Sequence, residues 1–550
     1  MNYKLNLAMD TDGIIFNLFT FQLEKGFRKF CKIDESIVIN GKTFAELNSL
    51  GSKEKVEFLS EYAIAYSEKT GDLIDITKYD IHDIFALQPT LLEKKYGEYL
   101  AGKNQTNEEE SIEQITDKIR LRRQMFWILY IYKYCTQSDF IDGVVEFINK
   151  WKTEEYEVGN ITARVFVTEQ NIFGALFRHI LEMSYKKAGI NFDYIDYCSE
   201  KDSPFEKKMA CNKRFVDVMI EDKLDNALAI SELGFTKVAL LNTPYNIGDI
   251  NENIIRFDDF SQIDEYIQSL SKEREIQLKD KNYIMNGQLV SLSKDELSNM
   301  SKSDLWNYRK QVKSYYKEKD FNQEQFKSVY DISKIDTHER IYKTAYPFVQ
   351  TGFNLAFNPK VINKDYIPYQ KGSIFIANHL TYYDQFLLTA ALGNRPVHFL
   401  TAKKLRDMMR GFFYEQIGCM FVDNTPTHDS SKLFAQEFIY HLLANGKDVV
   451  IFPEGTRNDE RYNRFMLPFH RGAVKAAQLT GAPIVPLAIN KNYKFRSKNL
   501  LVRVAKPVIV KPDDDIKLVN KNLENIVASM IHENSEYEKE IVRVKKFTSL

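Results

Sequence analysis

The sequence predicts an α/β protein with two parallel-sheet domains, and three observations predict it. At 550 residues the chain exceeds one ordinary core, so about three domains or fewer are expected. Strand-like runs alternate with helix-like runs from residue 1 to about 270 and again from 341 to 512, the pattern of parallel sheets covered by helices. Between them, residues 271–340 are rich in charge and poor in Gly and Pro, which reads as a helical connector.

The elements follow in order. Leu5–Met9 reads as a short buried strand and Phe16–Phe30 as an apolar-periodic helix. From about Phe44 to Lys150 the chain looks mostly helical, with a polar break at Gly102–Ser111. Strand signals return at Val165–Val167, Val216–Ile220 and Val238–Leu241. In the connector, Ser293-Lys-Asp-Glu296 has the form of a capping box that opens a helix. Ser373–Ala377, Val449–Phe452 and Ile484–Ile489 are strand-like, Lys432–Ala444 is an amphipathic helix, and the tail, 513–550, carries a charged helix from Asn520.

With 44% hydrophobic, 13% aromatic and 27% charged residues the chain is globular, which excludes a disordered, collagen-like or disulfide-scaffold protein. The five cysteines, Cys31, Cys135, Cys198, Cys211 and Cys419, form no C-x-x-C pair, which fits a reducing compartment and argues against a cysteine-built zinc site. The opening MNYKLNLAMD lacks the form of a signal peptide. No run approaches the roughly 18 apolar residues needed to span a bilayer; Phe126–Tyr134 is broken by Lys133. A soluble or peripheral protein is expected.

Formal charge is −1 overall, yet residues 341–512 carry 23 basic and 11 acidic side chains, a local excess of +12. Such asymmetry points to an anionic partner. Nucleic acid, anionic lipid and coenzyme A phosphates all satisfy the charge.

The first constellation is Asp10-Thr11-Asp12-Gly13, directly after the strand Leu5–Met9. Residues i and i+2 of an extended chain share a face, so Asp10 and Asp12 project together from the carboxyl end of a strand, where parallel sheets bind ligands. Gly13 permits the turn that follows. Two adjacent carboxylates call for a cation, and Mg²⁺ is the natural one. Further on stand Ile161-Thr162-Ala163-Arg164, the Ser203–Phe215 helix with Lys207 and Lys208, and Met219-Ile220-Glu221-Asp222. These stretches, in this order, resemble the four motifs of the haloacid dehalogenase (HAD) superfamily of phosphohydrolases. The resemblance implies a HAD-like Rossmannoid domain over 1–270, with a helical cap at about 17–150. It implies Asp10 as nucleophile, forming an aspartyl-phosphate, and Asp12 as acid and base. Thr162 and Lys207 (or Lys208) would bind the phosphoryl group, and Asp10, Asp12 and Asp222, with Glu221 as an additional ligand, would hold Mg²⁺. Ile161-Thr162 follows Val158-Gly159-Asn160 closely, so the strand expected before the second motif reads as poorly formed.

The second constellation is Asn378-His379-Leu-Thr-Tyr-Tyr-Asp384, after the strand Ser373–Ala377. On an α-helix residues five apart sit about 140° apart, so a His–Asp contact here needs a turn leading into a helix. There Asp384 can hydrogen-bond one ring nitrogen and leave the other as a base for a substrate hydroxyl. Phe452-Pro-Glu-Gly-Thr-Arg457 follows another strand: Pro453 ends it, Gly455 allows close backbone approach and Arg457 offers a fork for phosphate.

Together with Gly418–Asp423, Leu467–Gly472 and Ile484-Val-Pro486-Leu, these motifs resemble the glycerolphosphate acyltransferase family, which includes the 1-acylglycerol-3-phosphate acyltransferases. The resemblance covers about Tyr346 to Pro512. It implies an α/β acyltransferase domain at 341–512, with His379 as general base and Asp384 as its orienter. Asn378, Glu454, Gly455, Thr456 and Arg457 would line the acceptor site, with Arg457 on its phosphate. The acyl donor would be acyl-CoA or acyl carrier protein. The family often has an Arg after the Asp of its second block; Asn424 stands here, and Lys403 or Lys404 would have to compensate.

The expected protein is therefore a fusion of a Mg²⁺-dependent HAD-like phosphatase with a 1-acylglycerol-3-phosphate acyltransferase. Its partners would be a lysophospholipid, an acyl donor and an anionic membrane surface on the cytoplasmic side. No nucleic acid is expected, because the motifs do not call for one. Ile341–Phe357, aromatic and apolar around Pro347, reads either as an interfacial element or as the domain's own first helix. Two alternatives remain: a catalytically silent HAD-like module beside the acyltransferase, and a lipid-surface scaffold without turnover.

Overall fold

A computed structural model describes residues 4–86, 129–164, 166–279, 281–327, 329, 335, 338–340, 344, 359–393, 395–405, 414, 418–423, 429–458, 464–490 and 500–548. The break at Gly102–Ser111, Asn424 and nearly all of Ile341–Phe357 lie outside these residues. The chain forms two units: Met1–Cys211 with Phe215–Lys279, and Asn212–Arg214 with Asp280–Leu550.

The first unit is built on six parallel strands: β1 (Asn6–Met9), β2 (Glu157–Ala163), β3 (Tyr194–Cys198), β4 (Val218–Glu221), β5 (Lys237–Leu241) and β6 (Ile254–Phe257). Their order is β3-β2-β1-β4-β5-β6, all pairs parallel. The sheet order reverses at β1, so a crevice opens at the carboxyl ends of β1, β2 and β4. β1 and β4 are fully buried, as a sheet covered on both faces requires.

β2 corrects two expectations. The strand before Ala163 is well formed, seven residues long, and of the expected strand at Val165–Val167 the described residues Phe166 and Val167 lie in a turn, Phe166 with φ 64°. Gly159 is needed inside β2 because a Cβ there would stand 2.1 Å from the Tyr194 ring. The apparent strand-breaker is thus a packing requirement of the neighbouring strand.

Between β1 and β2 come α1 (Leu18–Phe30) and α2 (Ser52–Thr70). Asn17 caps α1, accepting from the Thr20 N–H. The two helices bury Phe27 against Phe44, Tyr62, Tyr66 and Phe85, all edge-on. Gly26 makes room for Phe85, whose Cε2 would lie 1.9 Å from any Cβ there. Beyond β2 come, among other helices, α3 (Ile172–Lys187), α4 (Ser203–Arg214) and α5 (Phe260–Leu278).

The second unit opens with a small hairpin, β7 (Ile284–Met285) and β8 (Gln288–Leu289). The capping box at Ser293 forms, with Glu296 accepting the Ser293 N–H at 2.7 Å. Next, α6 (Lys302–Glu318) buries Leu305, Trp306, Tyr308, Arg309, Val312 and Tyr316 on one side, and Tyr308, Val312 and Tyr316 join this unit's core. The main sheet has seven strands: β9 (Lys360–Ile362), β10 (Ile374–Ala377), β11 (Val397–Ala402), β12 (Cys419–Val422), β13 (Asp448–Ile451), β14 (Ile484–Ile489) and β15 (Leu501–Val504). Their order is β12-β11-β13-β10-β14-β15-β9, parallel except where β14 meets β15. Helices α7 (Asp384–Leu392), α8 (Asp429–Ala444), α9 (Gly472–Thr480) and α10 (Ile516–Thr548) accompany it.

The starts of the two central strands are fastened by one carboxylate. Asp448 accepts the Gly372 and Ser373 N–H groups at 2.8 and 2.9 Å and the Arg395 Nε at 2.6 Å, with all three polar side-chain contacts buried. That anchor sets the register of β10 against β13, so their carboxyl ends lie side by side. No helix among the described residues is long and apolar enough to cross a membrane.

Candidate active sites

In the first unit, the end of β1 delivers Asp10, β2 delivers Thr162, α4 delivers Lys207, and the end of β4 delivers Glu221 and Asp222; all five are buried. Lys207 Nζ sits 2.6 Å from Asp10 Oδ2 and 2.7 Å from Glu221 Oε2. Lys208, the alternative, points to the surface, 2.5 Å from Glu232. Burial lifts the Asp10 carboxyl to about 6, although the Lys207 ammonium opposes it. Burial works against Lys207 too, but Asp10 and Glu221 outweigh it and raise its pKa. Burial, reinforced by Glu221 and Asp10, pushes Asp222 well above the ordinary carboxylate range.

One buried ammonium, that of Lys207, therefore pairs with two of three clustered buried carboxylates. Asp10, Glu221 and Asp222 each offer an oxygen, and these oxygens lie within 4.8 Å of one another. Asp10 Oδ1 and Asp222 Oδ1 are buried without a hydrogen-bond partner, and so is the Thr162 hydroxyl. Unpartnered buried oxygens beside an uncompensated charge fit a divalent cation, with the hydroxyl left for its anionic ligand.

The Asp12 side chain is not in that cluster. Its carboxylate is gripped by Arg164, whose Nε donates to Oδ2 at 2.8 Å and whose Nη2 pairs with Oδ1. Arg164 is itself stacked near Phe16 and Tyr134. Sequence reasoning quoted Arg164 but gave it no task; the available signal was its spacing of two from Thr162. Tyr245, whose hydroxyl lies 2.5 Å from Asp222 Oδ2, carried no signal at all.

In the second unit, the chain leaves β10, turns, and enters α7 at Asp384. The turn brings His379 Nδ1 to 2.6 Å from Asp384 Oδ2. Asp384 is fully buried and also accepts the Leu380 and Thr381 N–H groups at 2.6 and 3.0 Å and the Thr381 hydroxyl at 3.1 Å. With Nδ1 committed, Nε2 is the ring nitrogen left for a substrate. The imidazole stacks on Phe452 at 4.2 Å, so the residue directly after β13 fixes the ring plane.

Glu454 is buried, and its oxygens accept the backbone N–H groups of His379 and Leu467, both at 2.8 Å. Burial raises its carboxyl pKa against those two bonds. Asn378 is likewise spent on the fold, exchanging two hydrogen bonds with Ile489 across the sheet. Gly455 turns at φ 68°, and a Cβ there would meet His470 at 2.8 Å. Thr456 and Arg457 are half-buried. Arg457 donates to the Tyr382 hydroxyl at 2.7 Å and lies 3.4 Å from its ring. Of the two lysines, Lys403 is 3.7 Å from Asp423 at the end of β12. The structure thus brings together His379, Asp384, Glu454, Gly455 and Arg457 at the carboxyl ends of β10 and β13.

The Acyltransferase family model matches residues 358–490. The Bacillus subtilis 1-acyl-sn-glycerol-3-phosphate acyltransferase is 31% identical over 150 residues, 27% of this chain and 70% of that protein. The chain belongs to the 1-acyl-sn-glycerol-3-phosphate acyltransferase family. The bovine 1-acyl-sn-glycerol-3-phosphate acyltransferase alpha is 31% identical over 160 residues, 27% of this chain, which spans about half (54%) of that relative's length. A putative nucleotidase of Halalkalibacterium halodurans is 30% identical over 141 residues, 25% of this chain and 64% of its own. The residues that the family model matches include the second unit's His379, Asp384, Glu454 and Arg457.

Proposed function

We propose that the second unit transfers an acyl group from acyl-CoA or acyl carrier protein to the hydroxyl of a 1-acylglycerol 3-phosphate, giving phosphatidic acid. The observation that carries this is the His379–Asp384 couple beside the Glu454–Arg457 turn. His379 Nε2 takes the acceptor's hydroxyl proton as its oxygen attacks the thioester carbonyl. The tetrahedral intermediate collapses with cleavage of the C–S bond, and the imidazolium returns the proton to the departing thiolate. Asp384 holds the ring and balances the imidazolium. Arg457 binds the acceptor phosphate, and Glu454 holds His379 and the turn in register. A lipid acceptor and the local excess of positive charge support work at an anionic membrane surface, which we assign to its cytoplasmic face.

The first unit is proposed to hydrolyse a phosphate monoester. Asp10 attacks phosphorus and forms an aspartyl-phosphate, while Lys207 and Thr162 bind the phosphoryl oxygens. Asp12, released from Arg164, supplies and then removes the protons of the two half-reactions. Asp10, Glu221 and Asp222 would hold Mg²⁺, which supplies charge neutralisation at the phosphoryl group. Tyr79 and Tyr245 meet edge-on beside this site, and one relative is named a putative nucleotidase. Nucleoside monophosphates are therefore the first substrates to try.

The test is a product assay with lysophosphatidic acid, labelled acyl-CoA and Mg²⁺, run beside His379→Ala and Asp10→Asn. Labelled phosphatidic acid that disappears with His379→Ala supports acyl transfer. Its persistence in that variant would overturn the role given to His379. Phosphate release that disappears with Asp10→Asn supports the phosphatase, and its absence in the unaltered protein leaves the first unit a silent module.

A further inference from the structure

We propose that Tyr245 is a positioning residue for a divalent cation in the first unit: its hydroxyl sets which oxygen of Asp222 faces the cation. The inference rests on the phosphatase reading, because the cation belongs to that site.

The Tyr245 hydroxyl lies 2.5 Å from Asp222 Oδ2, while Asp222 Oδ1 is buried and without a hydrogen-bond partner. Asp10 Oδ1 is in the same condition, and Asp222 clusters with Asp10 and Glu221. A carboxylate beside two others is pushed to rotate away from them. A donor on its far oxygen resists that rotation and leaves the near oxygen in the cluster. A neutral phenol suits this task better than an ammonium, since it adds no positive charge that would compete with a cation.

The tyrosine is held from three sides. Its neighbour Asn246 donates to the Asp222 carbonyl at 2.8 Å and to the Leu241 carbonyl at 2.7 Å, so the loop after β5 is tied to the ligand's own backbone. Arg256 clamps that loop, donating to Asn246 Oδ1 at 3.0 Å, the Asn246 carbonyl at 2.8 Å and the Gly248 carbonyl at 3.0 Å. The ring packs against Tyr79 at 5.3 Å and Phe19 at 6.2 Å, both from the segment between β1 and β2. Gly13 completes the arrangement. A Cβ there would stand 2.0 Å from Asp222 Oδ2 and 2.8 Å from the Tyr245 hydroxyl, so the pair exists only because residue 13 has no side chain.

Tyr245→Phe deletes the hydroxyl and keeps the ring. Mg²⁺ is titrated calorimetrically into the full chain, and the thermal midpoint is taken without and with Mg²⁺. The expected result is binding about 10- to 100-fold weaker in Tyr245→Phe, with the metal-free midpoint unchanged. Tyr245→Leu, which also loses the ring, should bind as weakly and melt earlier. Binding within about two-fold of the unaltered protein would overturn the role of the hydroxyl, on the same scale of second-sphere effects. A lower metal-free midpoint in Tyr245→Phe with unchanged affinity would make Tyr245 a packing residue only. An unaltered protein that binds no Mg²⁺, or binds it equally after Asp222→Asn, would remove the metal reading itself, which is a separate failure.

Discussion

The carboxylate of Glu454 reaches across to His379 and accepts its backbone N–H at 2.8 Å, so the residue after Pro453 sets the height of the His379 ring. Its second oxygen accepts from Leu467, which leaves the side chain facing backbone on both sides. Glu454→Gln would turn an NH₂ toward one of those N–H groups and lose about 1–3 kcal/mol. Acyl transfer should fall about 100-fold, the scale of a misplaced reacting group. Varying the acceptor separates the roles. A fall in kcat with little change in acceptor KM fits a clamp; a rise in KM alone would show direct acceptor contact.

Asp384 accepts four donors, of which His379 is one. Asp384→Asn keeps the shape but offers an NH₂ where N–H groups already point, and it no longer balances an imidazolium. The expected loss in kcat is about 10²–10⁴-fold, the span of general-base assistance. Thr381→Val removes only the 3.1 Å hydroxyl contact and should cost far less. Equal losses in the two variants would mean that the turn, not the ring, is what Asp384 serves. Single-turnover acyl transfer measures both.

Arg164 and Asp12 form a buried fork-to-fork pair in the first unit. Arg164→Met leaves an uncompensated carboxylate among Phe16, Tyr134 and Cys135, and should destabilise the unit by about 3–5 kcal/mol. Adding Asp12→Asn removes that charge and should restore much of the loss. Urea unfolding of the four proteins closes the cycle. Additive losses would show that the pair contributes nothing as a pair.

Much of both sites was legible because their motifs are local. D-x-D-G and N-H-x₄-D each place a strand end, a turn and the candidate carboxylate and imidazole side chains within a few residues. The rest depended on partners far along the chain. Arg164 meets Asp12 across 152 residues, and Tyr245 meets Asp222 through a loop whose sequence resembles any other turn. Val165–Val167 looked more strand-like than Glu157–Ala163, yet β2 forms where Tyr194 can lie over Gly159. In α6 the charged residues concealed a buried stripe from Leu305 to Tyr316, because lysines at the intervening positions dominate the composition. Glu454 and Asn378 were expected on the acceptor, but their hydrogen bonds to Leu467 and Ile489 show a use that motif reading does not reveal.

His398 gives the second unit a dependence on pH that is separate from its chemistry. The side chain is fully buried in β11, its ring 5.0 Å from that of His338. Burial, with His338 and Lys447 nearby, pushes its pKa well below the ordinary 6.5, and the Gly418 backbone opposes this only in part. The native state therefore keeps His398 neutral at pH values where the unfolded chain has already taken up a proton. Its contribution to stability is complete above the unfolded value of 6.5 and is lost as pH falls from there toward the native value. The slope in that window is about 1.4 kcal/mol per pH unit for one proton. His398→Phe keeps an aromatic ring in the site and removes the proton uptake. Chemical unfolding of the second unit at pH 7.5 and 5.5 should then show a smaller loss on acidification in the variant than in the unaltered protein. Equal losses would place the acid sensitivity in other groups and set this account of His398 aside.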